Sequence, residues 1–311
     1  MFRGLRVVPP DTKIRFMSMH KINFAISALM VVASLVLFAV KGLNYGIDFK
    51  GGILLEAHTE QAADLAVMRG KLDALGLGEV SLQTFGSEND VLIRIEEQEG
   101  GEAAQQRAIA LVRDALGAGV RYDRVEVVGP QVSSELFWNG MYALGASIIA
   151  IVIYIWFRFE WQFGIAAVLA EVHDIISTVG LFALLGMEFN LTSIAALLTL
   201  AGYSINDTVV VFDRVRENLR KYKTMPLRDL LDMSVNQTLS RTTMTSATAL
   251  LALFALYVFG GEVLRGFSLA MIWGIVIGTY SSIFVASALL LYMNVRRSSG
   301  AGEAAAVAER P

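Results

Sequence analysis

The chain contains no cysteine and few charged residues, and each scarcity removes a class of protein. Without cysteine it can form neither disulfides nor a thiolate metal site. Only 18% of its 311 residues are charged, whereas an ordinary soluble domain carries about 25%. Because 55% of the residues are hydrophobic, the composition indicates a membrane protein.

Six apolar stretches are long enough to cross about 30 Å of hydrocarbon. They lie near Phe24–Val40, Leu136–Phe157, Phe163–Leu185, Leu191–Phe212, Thr242–Phe259 and Gly266–Met293. The first stretch follows a basic leader that includes Arg3 and Arg6, as a signal peptide does. It is long and lacks a good small-x-small cleavage site, so we expect an uncleaved anchor, with five further spans in residues 136–295.

Lysine and arginine are concentrated in three segments, which are the leader (residues 1–23), a predicted loop (213–241) and the tail (296–311). Basic short loops stay on the cytoplasmic side of a membrane. Because an even number of spans puts all three segments on one side, we expect a multi-pass protein with both termini in the cytoplasm. The tail has low complexity, and we expect it to be disordered.

Residues 41–135 form a polar insert with 16 acidic and 9 basic residues, expected on the outer side of the membrane. Periodicity predicts, in order, a strand, a helix, a hairpin, a helix and a strand: Ile53–Thr59, Ala62–Leu75, Val80–Phe85 with Val91–Glu96, Gln105–Leu116 and Tyr122–Val128. This order is typical of an α+β ferredoxin-like domain. The insert has no nucleophile–base pair and no metal-ligand spacing, and His58 is expected to be a surface residue.

The insert begins with the segment YGIDFKGG, at the point where the first span leaves the membrane. Gly46, Gly51 and Gly52 permit a tight or left-handed backbone. Asp48 and Lys50 are close enough in sequence to pair locally. The simplest interpretation is a turn that leads the first span into the first strand.

The third span carries Glu171, His173 and Asp174, roughly 12–17 Å from its start at about 1.5 Å per residue. Glu171 and Asp174 are three residues apart and share a helix face. Charged residues at mid-membrane depth are costly and point to a function. A structural polar cluster between helices remains the alternative. Ser177 is too close in sequence to His173 and Asp174 to complete a hydrolytic triad.

The fourth span carries Asp207, with Ser204 and Asn206 beside it. A carboxyl in hydrocarbon keeps its proton until something stabilises the anion. The expected stabiliser is Arg241, which is always charged and lies at the start of the fifth span. Asp207 can then alternate between a neutral acid and a paired anion, although a permanent buried ion pair is the alternative. Asp213 is expected at a water-facing helix end.

Several of these motifs together resemble one family. YGIDFKGG, VGPQVSSEL, the HD of the third span, GYSINDTVVVFDRVREN and SRTTMTS occur in the order typical of the SecF family, the smaller membrane subunit of the bacterial SecD–SecF protein-export complex, related to resistance-nodulation-division transporters. The resemblance implies a six-helix transmembrane bundle in the cytoplasmic (inner) membrane, with a ferredoxin-like periplasmic domain inserted between helices 1 and 2. It also implies SecD as partner, supplying the missing repeat.

The function that this resemblance implies is non-enzymatic. The subunit uses the proton gradient to pull unfolded polypeptides out of the SecYEG channel after SecA has pushed them, with YajC as a further candidate partner. Asp207 would be a proton-relay carboxylate and Arg241 its partner. The resemblance implies no cofactor, metal or nucleic acid. Two alternatives stay open, a proton-coupled half-transporter for small molecules or lipids and a structural scaffold. The small insert disfavours the half-transporter, since a porter needs a large outer domain.

Overall fold

The computed structural model describes Pro9, residues 12–293 and Val295. Arg3 and Arg6 of the predicted leader and the predicted disordered tail, residues 296–311, therefore lie outside the described residues. A short 3₁₀ helix, Phe16–Met19, precedes the first membrane helix, α1 (His20–Lys41).

A small domain follows α1, outside the helix bundle. Its elements are β1 (Asn44–Tyr45), α2 (Ile47–Lys50), β2 (Gly52–Thr59), α3 (Leu65–Asp73), β3 (Val80–Phe85), β4 (Ser87–Ile95), α4 (Glu102–Leu116) and β5 (Val120–Val128). The four long strands form an antiparallel sheet in the order β3-β4-β2-β5. We call residues 44–128 the outer domain.

The outer domain has a hydrophobic core between its sheet and its two longer helices. Ile53 and Ile93 from the sheet pack with Leu72 of α3 and Val112 of α4. The predicted order of strands and helices is confirmed. The predicted helix Ala62–Leu75 starts three residues too early, because the Asp64 side chain accepts hydrogen bonds from the backbone of the next turn and fixes the start at Leu65.

The rest of the chain is helical. After α5 (Pro130–Arg158) and α6 (Trp161–Leu185) comes a two-residue strand, β6 (Glu188–Phe189), followed by α7 (Leu191–Lys221), α8 (Leu227–Phe259) and α9 (Gly261–Ser281). A π-helical turn, Ser282–Ala286, connects α9 to α10 (Ser287–Leu289). Within the described residues, six helices are long and apolar enough to cross a membrane, which confirms the predicted number of spans.

The predicted basic loop 213–241 is wrong as a loop. Helix α7 continues to Lys221 and α8 begins at Leu227, so only residues 222–226 connect them. Hydropathy falls at the membrane surface, but arginine, lysine, leucine and glutamate all favour a helix, so the helices continue into water. Asp213 forms an ion pair with Arg158 at 2.6 Å, and both side chains are partly exposed, as expected for a helix end.

Three helices make the interior of the bundle. At least 50% of the most apolar stretch of α6, α7 and α9 is buried inside the protein, whereas only 11% of the corresponding stretch is buried in α5 and α8. Gly274 and Gly278 form a G-x-x-x-G motif on α9 that faces α7, because a Cβ at Gly274 would collide with Leu200 and one at Gly278 would crowd Ser204. Because glycine has no side chain, these two positions let the backbones of α7 and α9 approach closely.

Candidate functional site

A buried polar cluster joins α6, α7 and α9 around Asp174, whose side chain has no solvent exposure. One carboxylate oxygen, Oδ2, accepts hydrogen bonds from the hydroxyls of Ser204 at 2.6 Å and Ser281 at 2.7 Å. The other, Oδ1, lies 2.9 Å from Nδ1 of His173. Both oxygens of Asp174 are therefore satisfied, and three helices are tied to one carboxylate.

Two neighbours of Asp174 on α6 have polar atoms without partners. Glu171 is 3% exposed, and neither of its carboxyl oxygens has a hydrogen-bond partner. Nε2 of His173 is likewise buried and unpaired. A buried polar atom without a partner costs free energy, so its presence calls for an explanation. The polar residues predicted on the third span thus form a cluster in which only Asp174 is fully hydrogen-bonded.

Asp207 lies one turn from Ser204 on the same face of α7. It is 4% exposed, and its Oδ2 has no hydrogen-bond partner. Helices α6 and α7 run antiparallel, and Asp174 bonds to Ser204. Glu171 lies one turn before Asp174 on α6, and Asp207 lies one turn after Ser204 on α7. Because the helices are antiparallel, Glu171 and Asp207 lie at the same depth. The bundle therefore holds two buried carboxyl groups with unpaired oxygens at one level.

The expected contact between Asp207 and Arg241 is not formed in this conformation. No ion pair within 4.0 Å joins them among the described residues. The reason is that Arg241 lies on the exposed side of α8, whereas Asp207 is inside the bundle. Arg241 is still close enough for its charge to act on Asp207. The two groups are neighbours without being partners.

Sequence reasoning missed the contribution of α9. Ser281 completes the bonding of Asp174, and the preceding residue, Tyr280, donates from its hydroxyl to the backbone oxygen of Asn23 in α1. The π-helical turn starts at Ser282, directly after Ser281. Such turns occur frequently at functional sites. The run of hydroxyl residues TYSS inside an apolar span was the available signal.

Ser177 does not take part in the cluster. Its hydroxyl donates to Sδ of Met30 and accepts from the indole nitrogen of Trp273 at 3.2 Å. It therefore connects α6 to α1 and α9, and it makes no nucleophile–base contact with His173.

Two of the three glycines of YGIDFKGG have the left-handed backbone that the sequence suggested, whereas Gly46 is extended with a φ of −72°. Gly51 and Gly52 have φ values of +75° and +114°, which strongly favour glycine. The local pairing of Asp48 with Lys50 is wrong, because Asp48 accepts a hydrogen bond from the backbone nitrogen of Leu191 at 2.9 Å. A carboxylate at the start of α7 is favourable for that helix. Gly46 donates its backbone N–H to Phe189. The segment therefore docks on the α6–α7 connection.

One group in the outer domain has metal-ligand types. His58, Asp90 and Asp123 bring ligand atoms within 4.8 Å of one another. These atoms already have protein partners, since His58 contacts Asp90 at 2.5 Å and Arg121 pairs with Asp123 at 2.7 Å. A hydrogen bond from Ser87, and then one from His58, lower the pKa of Asp90. Ion pairing explains the group without a metal.

An exposed polar face runs along α7 and α8. On α7 it contains Ala195, Thr199, Gly202 and Asn206, and on α8 Arg241, Thr245 and Thr248. The α7 residues recur at helical spacing, so they share one side. An asparagine and an arginine facing lipid would be costly. This face, which we call the polar stripe, is therefore suited to contact another membrane protein.

Comparison with known proteins gives consistent matches. Residues 109–296 match the family "Protein export membrane protein SecD/SecF, C-terminal", and residues 36–63 match "SecD/SecF GG Motif". The chain is 47% identical over 309 residues to protein translocase subunit SecF of Rhodobacter capsulatus, covering 94% of this chain and 93% of that protein. Against the same subunit of Cereibacter sphaeroides it is 46% identical over 302 residues, with the same coverage.

Two solved structures of SecDF are also similar. One is described as a translocon-associated membrane protein from Thermus thermophilus, and it matches with a TM-score of 0.83 and 38% identity over 92% of this chain. The other, in a super-membrane-facing form, matches with a TM-score of 0.67 and 34% identity over 98% of this chain. This chain spans only 39% and 41% of those two SecDF chains.

Proposed function

From the premise that this chain belongs to the SecF family of protein translocase subunits, we propose that it uses the proton motive force to promote late steps of polypeptide export across the cytoplasmic membrane. The observation that carries this proposal is Asp207, a buried carboxyl with an unpaired oxygen inside the transmembrane bundle. An ionisable group in that position is expensive unless it serves a function.

The relay works through the charge of Asp207. When protonated it is neutral and tolerated where it lies. When it loses the proton, the anion is attracted to Arg241, whose charge already reaches it from α8. Pairing requires α7 and α8 to shift relative to each other. A charge moved across the membrane gains about 2.3 kcal/mol per 100 mV, which supplies the driving force.

The surrounding cluster supports the relay. Asp174 is hydrogen-bonded to His173, Ser204 and Ser281 and holds α6, α7 and α9 in place. Ser204 lies one turn from Asp207 on α7, and Glu171 lies at the same depth on α6. We assign Asp174 a structural role, because both of its oxygens already have partners and a proton on either would disturb at least one of these bonds. Glu171 and Asp207 both have unpaired oxygens, and we assign the proton-carrying role to Asp207 because the charge of Arg241 acts on it.

The proposal includes an orientation and partners. Both termini are cytoplasmic, the outer domain is a ferredoxin-like periplasmic domain, and SecD docks on the polar stripe to complete the transmembrane fold. The complex acts on unfolded polypeptide that leaves SecYEG under the action of SecA, with YajC as a further candidate partner. The strand order β3-β4-β2-β5 supports the domain assignment.

One experiment separates the candidate functions. Asp207→Asn is placed in the chain at normal level in the membrane, and export of a secretory protein is followed with and without a proton gradient. The matched control is Asp213→Asn, which removes a carboxylate from the same helix at its partly exposed end. We expect Asp207→Asn to remove the stimulation by the gradient while the complex stays assembled, and Asp213→Asn to keep it. Arg241→Met should also remove the stimulation.

Three other outcomes would contradict the proposal. Gradient-sensitive export that is unchanged in Asp207→Asn would favour a structural scaffold. Normal export combined with altered resistance to small toxic compounds would favour a proton-coupled half-transporter. An equal loss in Asp213→Asn would show that any lost charge on α7 is harmful, and Asp207 would have no special role.

A further inference from the structure

A partly buried ion pair joins the outer domain to the connection between α6 and α7. Arg94 of β4 donates from Nη2 to Oε2 of Glu188 in β6. Arg94 also donates from Nη1 to the side-chain oxygen of Asn44 at 3.4 Å. The side chains of Arg94 and Glu188 are only 13% and 24% exposed. The pair is therefore largely shielded from water and from screening by salt.

Backbone contacts lie directly beside this ion pair. Strands β1 and β6 pair in parallel, with Asn44 opposite Glu188 and Tyr45 opposite Phe189. The side chain of Asn44 donates to the backbone oxygen of Gly186 at 3.1 Å. There is no room for a Cβ at Gly46, because the Glu188 side chain occupies that space. The start of the outer domain and the α6–α7 connection thus form one packed unit.

The same connection leads directly into the buried carboxyl cluster. Asp174 lies about 16 Å below the outer end of α6, and Asp207 about 24 Å below the start of α7, at 1.5 Å per residue. The side chain of Asp48 also accepts a hydrogen bond from the backbone nitrogen of Leu191, the first residue of α7. Because helices are stiff over such lengths, a shift at the cluster moves their outer ends. The contacts described above carry that movement to the outer domain, alongside α1 and α5, which continue directly into it.

We propose that Arg94 and Glu188 form a coupling latch that transmits movement of α6 and α7 to the outer domain. The proposal rests on the proton-driven function proposed above and assigns to these two residues a positioning role in it. The ion pair fixes the orientation of the outer domain on its membrane support, while the β1–β6 pairing keeps the chain attached. Buried ion pairs are suited to this role because they specify geometry more than they add stability.

The test uses charge exchange and a distance measurement. Because the chain has no cysteine, Asp73→Cys on α3 and Leu185→Cys at the end of α6 can be spin-labelled without background. Both positions are exposed. The measurement compares the full chain with its native latch, with Arg94→Glu, with Glu188→Arg and with both changes together. The control is the exchange of Arg121 and Asp123, an exposed ion pair within β5.

We expect either single reversal to broaden the distance distribution between the labels and to lower gradient-stimulated export by roughly fivefold or more. The double exchange should restore a narrow distribution and most of the export, and the control should change neither. Equal distributions in all variants would overturn the latch, as would full gradient response in a single reversal that has a broadened distribution. The distance measurement needs no proton gradient, so it tests the latch even if Asp207→Asn shows that the relay proposal is wrong.

Discussion

Asp174 and Asp207 are both buried aspartates, but their surroundings predict opposite consequences of substitution. Asp174 accepts bonds from Ser204 and Ser281 on one oxygen and contacts His173 with the other. An asparagine amide nitrogen cannot accept a hydrogen bond, so Asp174→Asn loses at least one bond to a charged group, worth about 1.5–3 kcal/mol. Asp207→Asn loses less, because its Oδ2 has no partner. Thermal unfolding in detergent micelles should show Asp174→Asn as the less stable variant, and the reverse order would contradict the assigned roles.

The environment of Glu188 can be tested by measuring how the stability of the protein depends on pH. Burial raises the pKa of the Glu188 carboxyl above its ordinary value, although the charge of Arg94 opposes that change. A carboxyl whose pKa is raised by folding favours the folded state while protonated, and this contribution is lost as pH rises from the ordinary pKa through the raised one. We therefore expect wild type to lose stability relative to Glu188→Gln as pH rises through that window. Thermal unfolding of the two proteins over a pH series checks this, and parallel curves would contradict it.

Much of this residue-level detail could not be read from the sequence. Asp207 was identified by its position in an apolar span, and it is buried as expected. The sequence could not show that Ser281 would meet Asp174, since the two are far apart in the chain and a hydroxyl in a span is common. It also could not show that Arg241 would point outward, because that depends on how α7 and α8 pack. The pairing of Arg94 with Glu188 joins two domains and leaves no local pattern.

At the scale of elements, the contact between α7 and α9 depends on Gly278. A Cβ there would lie 3.0 Å from the Ser204 hydroxyl oxygen and 3.5 Å from its Cα. Because Ser204 is held by Asp174, it cannot move away freely. We expect Gly278→Val to destabilise the protein by about 1–3 kcal/mol through overpacking. The measurement is thermal unfolding in detergent micelles.

The control for this change is Gly145→Val, on α5, where an added Cβ would meet no atom within 4 Å. Both substitutions put a β-branched residue into a helix, so they share the same cost in helix propensity. Equal destabilisation would assign the effect to propensity and contradict the role of close packing. In the sequence, this contact is visible only as the spacing of Gly274 and Gly278. The sequence does not identify α7 as the partner, because a G-x-x-x-G motif indicates that some helix packs closely but not which one.

For the whole molecule, hydropathy was sufficient to predict the number of spans and the inserted domain, since both follow from long uniform stretches. It was not sufficient to predict which helices lie inside. The charged ends of α7 and α8 were interpreted as a loop, because hydropathy indicates which residues suit the hydrocarbon core and not where a helix ends. The polar stripe also needed the structure, as its small and polar residues stand out only once the other faces of α7 and α8 are covered.

The polar stripe gives a prediction about assembly. If SecD docks there, Gly202→Leu should hinder the close approach of a partner helix, because small residues at such contacts let backbones meet. Among the described residues, no side chain or neighbouring helix comes within 4 Å of a Cβ at Gly202, so folding of the chain itself should be unaffected. We expect association with SecD to weaken by roughly tenfold. Co-purification from detergent, with thermal unfolding of the isolated chain, separates assembly from folding.

The matched control is Ala33→Leu, which enlarges an exposed small residue on α1, away from the stripe. It should leave association with SecD intact, because α1 packs mainly on α6 and does not belong to the stripe. Normal association of Gly202→Leu would contradict docking on the stripe, and an equal loss in Ala33→Leu would move the contact to another face. An exposed asparagine and an exposed arginine on adjacent helices are costly to leave in lipid, which is the physical reason to expect the partner on the stripe.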